Sequence, residues 1–258
     1  MRFIVPVALM GLTACGEGGI NLFTLEDDVA LGQQLSEEVN ANPDVYGPVI
    51  DPATDPAPYD QLQRITDEIL DSGMVEHRDD FVWALHIIDD DETLNAFAAP
   101  GGYIYVYSGL IEYLDSEDDF AGVMGHEIAH ADRRHSTEQL TKAYGVSVVA
   151  GLLFGGDPGV IAQVASGLLS LSFSRADEAE ADDFSVIYLC ETHYAADGAA
   201  GFFQKLLDEG LGSGPEFLST HPSPDNRVED IEAAAVELGC STEPYADAQW
   251  EAFQATLQ

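Results

Sequence analysis

The chain has 258 residues, with 47 Asp and Glu against nine Lys and Arg and a formal net charge of −38 at pH 7. Nucleic acid and anionic lipid surfaces reward clustered Lys and Arg, so this balance argues against any nucleic-acid partner, while 46% hydrophobic residues suffice for a sizeable single-domain core. The carboxylates are spread along the chain, at Asp27-Asp28, Glu37-Glu38, Asp79-Asp80, Asp89 to Glu92 and Asp182-Asp183, as expected of a solvated acidic surface. Repulsion at this charge weakens the compact state until salt screens it, and the Debye length falls to about 3 Å at ~1 M. With Asp outnumbering Glu and two Lys in the whole chain, the composition suggests a halophilic host; full thermal stability and activity after dialysis into low salt would sink that expectation.

Met1-Arg2 and the apolar run Phe3 to Leu12 make a basic start and a hydrophobic stretch too short to span a bilayer, the pattern of a cleaved export signal over residues 1–14. Leu12-Thr13-Ala14-Cys15 resembles the lipobox of bacterial lipoproteins. That resemblance implies lipidation of Cys15, a tether over residues 15–23, and membrane contact through the N-terminal lipid only. Gly16 after the Cys is compatible with the periplasmic face of the outer membrane in a host that has one. The plain alternative is a stray thiol beside a cleavage site. Cys190 and Cys240 remain as an even pair in an exported chain, either a disulfide or two separate buried thiols.

Residues 24–258 read as one domain, divided into an N-terminal helix and Pro-rich wrap (24–58), a core (59–238) and a C-terminal tail or helix (239–258). Thr24 to Val39 predicts a helix capped by Thr24, with Val29, Leu31, Leu35 and Val39 at helical spacing. The five prolines of residues 42–58 predict an extended wrap, followed by a helix from Tyr59 to about Ser72. Phe81 to Ile88 alternates as a strand, and Leu94 to Ala99 and Tyr103 to Tyr107 predict two more around Pro100-Gly101-Gly102. Ser116, with Asp119 three residues on, caps a helix running beyond His130. Gly145 to Phe154 and Val160 to Leu171 are apolar but broken at 155–158 into pieces shorter than the ~20 residues of a spanning helix, and predict a helical hairpin on the core or at a membrane surface. Ser174 to Thr192, Asp197 to Asp208 and Pro224 to Leu238 complete the helices, and nothing after Leu238 is long enough for a helical-repeat module.

His126-Glu127-Ile128-Ala129-His130 is HExxH on a predicted helix. Histidines four apart share a helical face, so both imidazoles reach one metal ion while the adjacent Glu approaches the water it activates. A catalytic zinc needs a third protein ligand. The strongest candidate lies in Ser174 to Asp182, where a carboxylate on a second helix completes the set and an Asp one turn later holds a ligand His by its other nitrogen. On spacing alone Glu178 and Asp182 are equally a solvated helix face.

HExxH followed by Ser-Arg-x-x-Glu-x-x-Ala-Asp resembles the HtpX and CAAX prenyl protease family of zinc metallopeptidases, which also contains periplasmic lipoprotein proteases and Oma-type mitochondrial proteases. Asn95 to Gly102 is similar to the family's NAFALPGG segment, with Ala99 where Leu is usual, and His221-Pro222-Ser223-Pro224 with Arg227 is similar to its HPPxxxR segment, with Ser223 where Pro is common. In order these cover roughly residues 60–238. The resemblance implies an α+β zincin-type (gluzincin) domain, mainly helical with a small sheet beside the HExxH helix. It also implies one Zn2+ per chain on His126, His130 and Glu178, with Glu127 as catalytic base and Asp182 behind a ligand. The absence of spanning helices points to the exported branch.

Either His221 or Arg227 can stabilise the oxyanion, and His221 can instead take the open zinc position and hold the enzyme shut. A loop His and an ordinary salt-bridge Arg are the plain readings. A strand edge at Gly101, Gly102, Tyr103, Ile104 and Tyr105 is expected to pair with extended substrate through main-chain hydrogen bonds, which fits unfolded protein substrates. Tyr194, near the end of the Glu178 helix where it could reach the cleft, is given no role, and His77, His86, His135 and His193 receive none. A noncatalytic metal-bound chaperone or assembly factor of the cell envelope is the competing class; a calcium-binding surface protein is weak for want of an EF-hand loop.

Overall fold

A capping box starts the first helix, α1 (Leu25–Ala41): the Thr24 hydroxyl accepts from the Asp27 N–H and the Asp27 carboxylate accepts from the Thr24 N–H. The computed structural model describes residues 21–155, 158–168, 172–211, 215–222, 226–245 and 249–257; the expected export signal, Cys15, most of the tether, Ser223 and Pro224 lie outside them. After a short α2 (Pro43–Tyr46), the Pro-rich wrap lies along the sheet, with Val49 bridging Ile88 and the Ile50 N–H donating to the Ile87 carbonyl at 2.9 Å. This covers an edge that would otherwise offer open hydrogen-bonding groups. Helix α3 (Ala57–Leu70) buries Leu62, Ile65, Ile69 and Leu70.

Strand β1 (Ala84–Ile88) is shorter than the alternation predicts, because Trp83 takes φ +50° and breaks the extended run, although Phe81 and Trp83 are still buried. β2 (Ala96–Ala99) and β3 (Tyr103–Tyr107) flank Pro100-Gly101-Gly102, where both glycines have positive φ and a Cβ on Gly101 would lie 2.6 Å from the Val29 Cα. The sheet order is β1-β3-β2, with β1 parallel and β2 antiparallel to β3. This corrects the expected substrate edge at Gly101 to Tyr105: β3 is the central strand, paired on both sides, with all five residues buried. The edge next to the HExxH helix is that of β2.

Helix α4 (Ser108–Tyr113) leads to α5 (Glu117–Asp132), capped by the Ser116 hydroxyl and buried at every residue except Asp119. Gly122 lets α5 approach its neighbours closely, since a Cβ there would lie 2.0 Å from the Ala199 nitrogen. Arg134, at φ +63°, separates α5 from α6 (His135–Gly155), which itself kinks at Gly145. Helix α7 (Pro158–Leu168) packs Ile161, Val164, Ala165 and Leu168 into an apolar cluster with Leu31, Leu35 and Val39 of α1, so this arm of the expected hairpin lies on the core. Among the described residues no helix is long and apolar enough to cross a membrane.

Helices α8 (Arg175–Leu189), α9 (Gly198–Asp208), α10 (Glu216–Thr220), α11 (Arg227–Leu238) and α12 (Gln249–Gln254) complete an α+β domain that is mostly helical. A disulfide joins Cys190, after α8, to Cys240, after α11, with their Cα atoms 5.0 Å apart. Replacing both by Ser is expected to cost about 2–4 kcal/mol, by freeing a long loop of the unfolded chain. Thermal melts with and without reductant check this; a midpoint unmoved by reduction would remove the bridge from the stability account.

Candidate active site

Two helices bring the motif residues together. His126, Glu127 and His130 lie in the second half of α5, and α8 crosses it with the Ser185 hydroxyl donating to the Gly122 carbonyl at 2.9 Å. A capping box between Ser174 and Asp177 starts α8 one turn before Glu178, which fixes that carboxylate against the two histidines. The Nε2 atoms of His126 and His130 are 2.9 Å apart, and the Glu178 oxygens lie 3.5 and 3.4 Å from them. His221 joins from the other side, its Nδ1 3.3 Å from His126 Nε2 and 3.0 Å from Glu178 Oε1. One ligand atom from each of these four buried residues lies within 4.8 Å of all the others.

The donor set tests well for a metal. Both Glu127 oxygens, Glu178 Oε2 and His221 Nε2 are buried without a hydrogen-bond partner among the described residues, a cost of about 1–3 kcal/mol each unless something else satisfies them. Imidazole nitrogens with one carboxylate are the ligand chemistry of zinc.

Behind the ligands, His126 Nδ1 meets Asp182 Oδ1 at 2.8 Å, and Arg227 grips both Asp182 oxygens at 2.7 Å through Nε and Nη2. The guanidinium lies 3.9 Å over the Phe203 ring, and its Nη1 is 3.1 Å from Glu178 Oε2, at ion-pair distance but without hydrogen-bond geometry. Burial works against charge on Asp182, yet Arg227 and His126 outweigh it and hold the carboxyl below its usual range. Burial is likewise overcome at Glu178, where His221 and the two motif histidines keep the carboxyl well below its usual range. Glu127 is raised by burial, which His221 and His126 only partly offset. Burial pushes His130 well down, which favours the neutral form that metal ligation requires. At His126 burial is outweighed by Asp182 and Glu178, which raise it to about 9, and metal binding there must displace a proton.

Of the remaining histidines, His77 pairs with Asp80, His193 with Glu68, and His86 stacks on Tyr105, pushed down to about 4 by burial. Tyr194 is not at the cleft: its hydroxyl donates to Glu117 at 2.7 Å, at the opposite end of α5 from the motif. The sequence assigns His135 no role, yet its Nδ1 lies 2.9 Å from His130 Nδ1. The available signal was a His shortly after the HExxH helix, which a chain reversal can fold back onto it.

Residues 56–235, from the start of α3 into α11, match Peptidase family M48. The chain belongs to this family. Among similar proteins, the mitochondrial metalloendopeptidase OMA1 of Schizosaccharomyces pombe is 31% identical over 219 residues, covering 82% of this chain and 62% of that protein. The beta-barrel assembly-enhancing protease of Escherichia coli K12 is 31% identical over 203 residues, 70% of this chain and 41% of that one. Its Yersinia pestis namesake is 29% identical over 205 residues, 72% and 42%. The M48 chain thus spans less than two thirds of each of these relatives. All of the clustered side chains, His126, Glu127, His130, Glu178, Asp182, His221 and Arg227, fall within the family match.

Proposed function

We propose that this M48 protein is a zinc-dependent endopeptidase, with one zinc per chain on His126, His130 and Glu178 and with Glu127 as general base. The observation that carries the reading is Glu127: 0% exposed, next to His126 in the chain and 3.6 Å from His221 Nε2, with neither oxygen hydrogen-bonded among the described residues. A carboxylate left in that condition suits a group that takes its proton from the reacting water and passes it to the leaving amine. Zinc, when bound, polarises the scissile carbonyl and acidifies water to a pKa of about 7. Asp182 and Arg227 hold His126 in its ligating orientation, which makes Arg227 a brace behind the site rather than an oxyanion group.

The position of His221 supports a closed site. Its Nδ1 faces His126 and Glu178 and its Nε2 faces Glu127 Oε1 at 3.6 Å, so the imidazole stands between the ligand set and the general base. His221→Ala is therefore expected to raise cleavage of an unfolded protein such as casein several-fold; a fall of about 100-fold in kcat would instead assign His221 to the oxyanion. The segment that ends at His221 also meets the chain just before β2, with the Phe217 N–H donating to the Leu94 carbonyl at 3.1 Å. Displacing that segment would free the Leu94 carbonyl, at the start of the β2 edge, for an extended peptide, a binding mode indifferent to sequence and suited to unfolded or misfolded proteins.

The competing reading, a noncatalytic metal-bound assembly factor, draws on the same four-residue set, since three histidines and a carboxylate can close a structural site. Casein cleavage lost on chelation separates the two, because an assembly factor cleaves nothing. We place the protein in the bacterial cell envelope, exported and lipid-anchored at Cys15, on the periplasmic face of the outer membrane where the host has one. The lipobox-like Leu12 to Cys15 supports this, and labelling with a radioactive fatty acid that fails to reach Cys15 would overturn it.

A further inference from the structure

His135 opens α6 and takes no part in the chemistry above, yet it is 3% exposed and its Nδ1 lies 2.9 Å from the Nδ1 of His130. Two facing ring nitrogens need one proton between them: one must donate and the other accept. We propose that His135 is a positioning residue for the metal site, holding His130 in the tautomer that leaves Nε2 free to ligate. This rests on the zinc reading of the site. With the Nε2 lone pair directed at the metal, the His130 proton sits on Nδ1 and is donated to His135 Nδ1. His135 then carries its own proton on Nε2, which points at Glu180 Oε2 at 3.5 Å. Glu180 is held in turn by Arg133 Nε at 3.0 Å, and Arg133 also reaches Glu76 at 3.0 Å.

The local fold explains how this residue arrives there. Arg134, at φ +63°, turns the chain back between α5 and α6, and it is pinned in that conformation by Asp28 and the Phe23 carbonyl, both at 2.6 Å. On the other side Phe173 stacks on the His130 ring with centroids 4.0 Å apart, so the imidazole is fixed in plane as well as in tautomer. Electrostatics explains why an imidazole serves here when a carboxylate serves His126. Glu127, Glu178 and Asp182 are already buried, with Arg227 the one buried Arg or Lys among the described residues. A further buried carboxylate against His130 would add an uncompensated desolvation cost. An imidazole instead faces outward to Glu180, at ion-pair distance, and that side chain is 41% exposed and stays hydrated.

The test is zinc affinity of the holoenzyme, measured by competition with a chromophoric chelator, for the wild type, His135→Phe and His135→Asn. Phe fills the space but accepts no hydrogen bond, and is expected to weaken zinc about 10–100-fold. The Asn amide oxygen can replace Nδ1 as acceptor and is expected to keep affinity within about threefold of wild type. A purely structural role would not distinguish the two in this way. Wild-type affinity in His135→Phe, or an equal loss in His135→Asn, overturns the assignment while leaving the zinc reading intact. A wild type that binds no zinc overturns both.

Discussion

Glu127→Gln is expected to lower kcat/KM for an unfolded protein substrate by about 10²–10⁴-fold while the protein keeps its zinc. The substitution preserves shape, so the 0%-exposed pocket on α5 should not be disturbed. It removes the proton acceptor and leaves His126, His130 and Glu178 in place. The same residue sets a pH limb. Glu127 works ionised, and burial raises its pKa above the ordinary 4.5, so wild-type activity is lost as pH falls through that raised value. Zinc content and casein turnover on the same preparation check the prediction. Turnover retained by the Gln variant in a chelator-controlled assay would remove Glu127 from the mechanism.

Arg227→Leu is expected to cost about 3–5 kcal/mol of stability, the effect of removing one partner from a buried ion pair. Arg227 is 3% exposed and supplies both 2.7 Å contacts to Asp182, whose remaining partner among the described residues is His126. The loss should also pass through Asp182 to His126 and weaken zinc about 10–100-fold. Denaturant melts in excess chelator isolate the first effect, because bound metal would otherwise stabilise the folded state by mass action. Asp182→Asn combined with Arg227→Leu should be less destabilising than the sum of the two, since the Asp182–Arg227 pair is lost only once, while Glu178 loses its 3.1 Å ion-pair contact in either Arg227 variant. A single variant as stable as wild type would show that the bridge contributes nothing.

Much of the site can be read from the chain because local spacing encodes it. The i, i+4 histidines of α5 share a face whatever the tertiary context, and Ser116 and Ser174 mark both motif helices by capping chemistry that is local. Glu178 is different: in a chain with 47 acidic residues its spacing carries little, and its flanking Ser174-Arg175 and Ala181-Asp182 were needed to single it out. What depends on long-range pairing was less legible. Gly101 to Tyr105 is expected to offer an edge, but β3 pairs with β1 on one side and β2 on the other, a long-range arrangement that the local pattern does not encode. Trp83 and Arg134 take positive φ, which neither residue type advertises; the first shortens β1 and the second hides the return of His135 to His130. Arg227 reads in sequence as a cation near the cleft, and only the packing of α11 against α8 and Phe203 reveals that its charge is spent on Asp182.

The central claim is that a single zinc on His126, His130 and Glu178, served by Glu127, cleaves peptide bonds. Its most direct test strips the wild-type protein with a chelator and follows casein cleavage as zinc is returned. The account predicts no cleavage in the stripped protein and recovery that saturates at one zinc per chain. Cleavage that survives stripping, or a fully loaded protein that cleaves nothing even as His221→Ala, would contradict it.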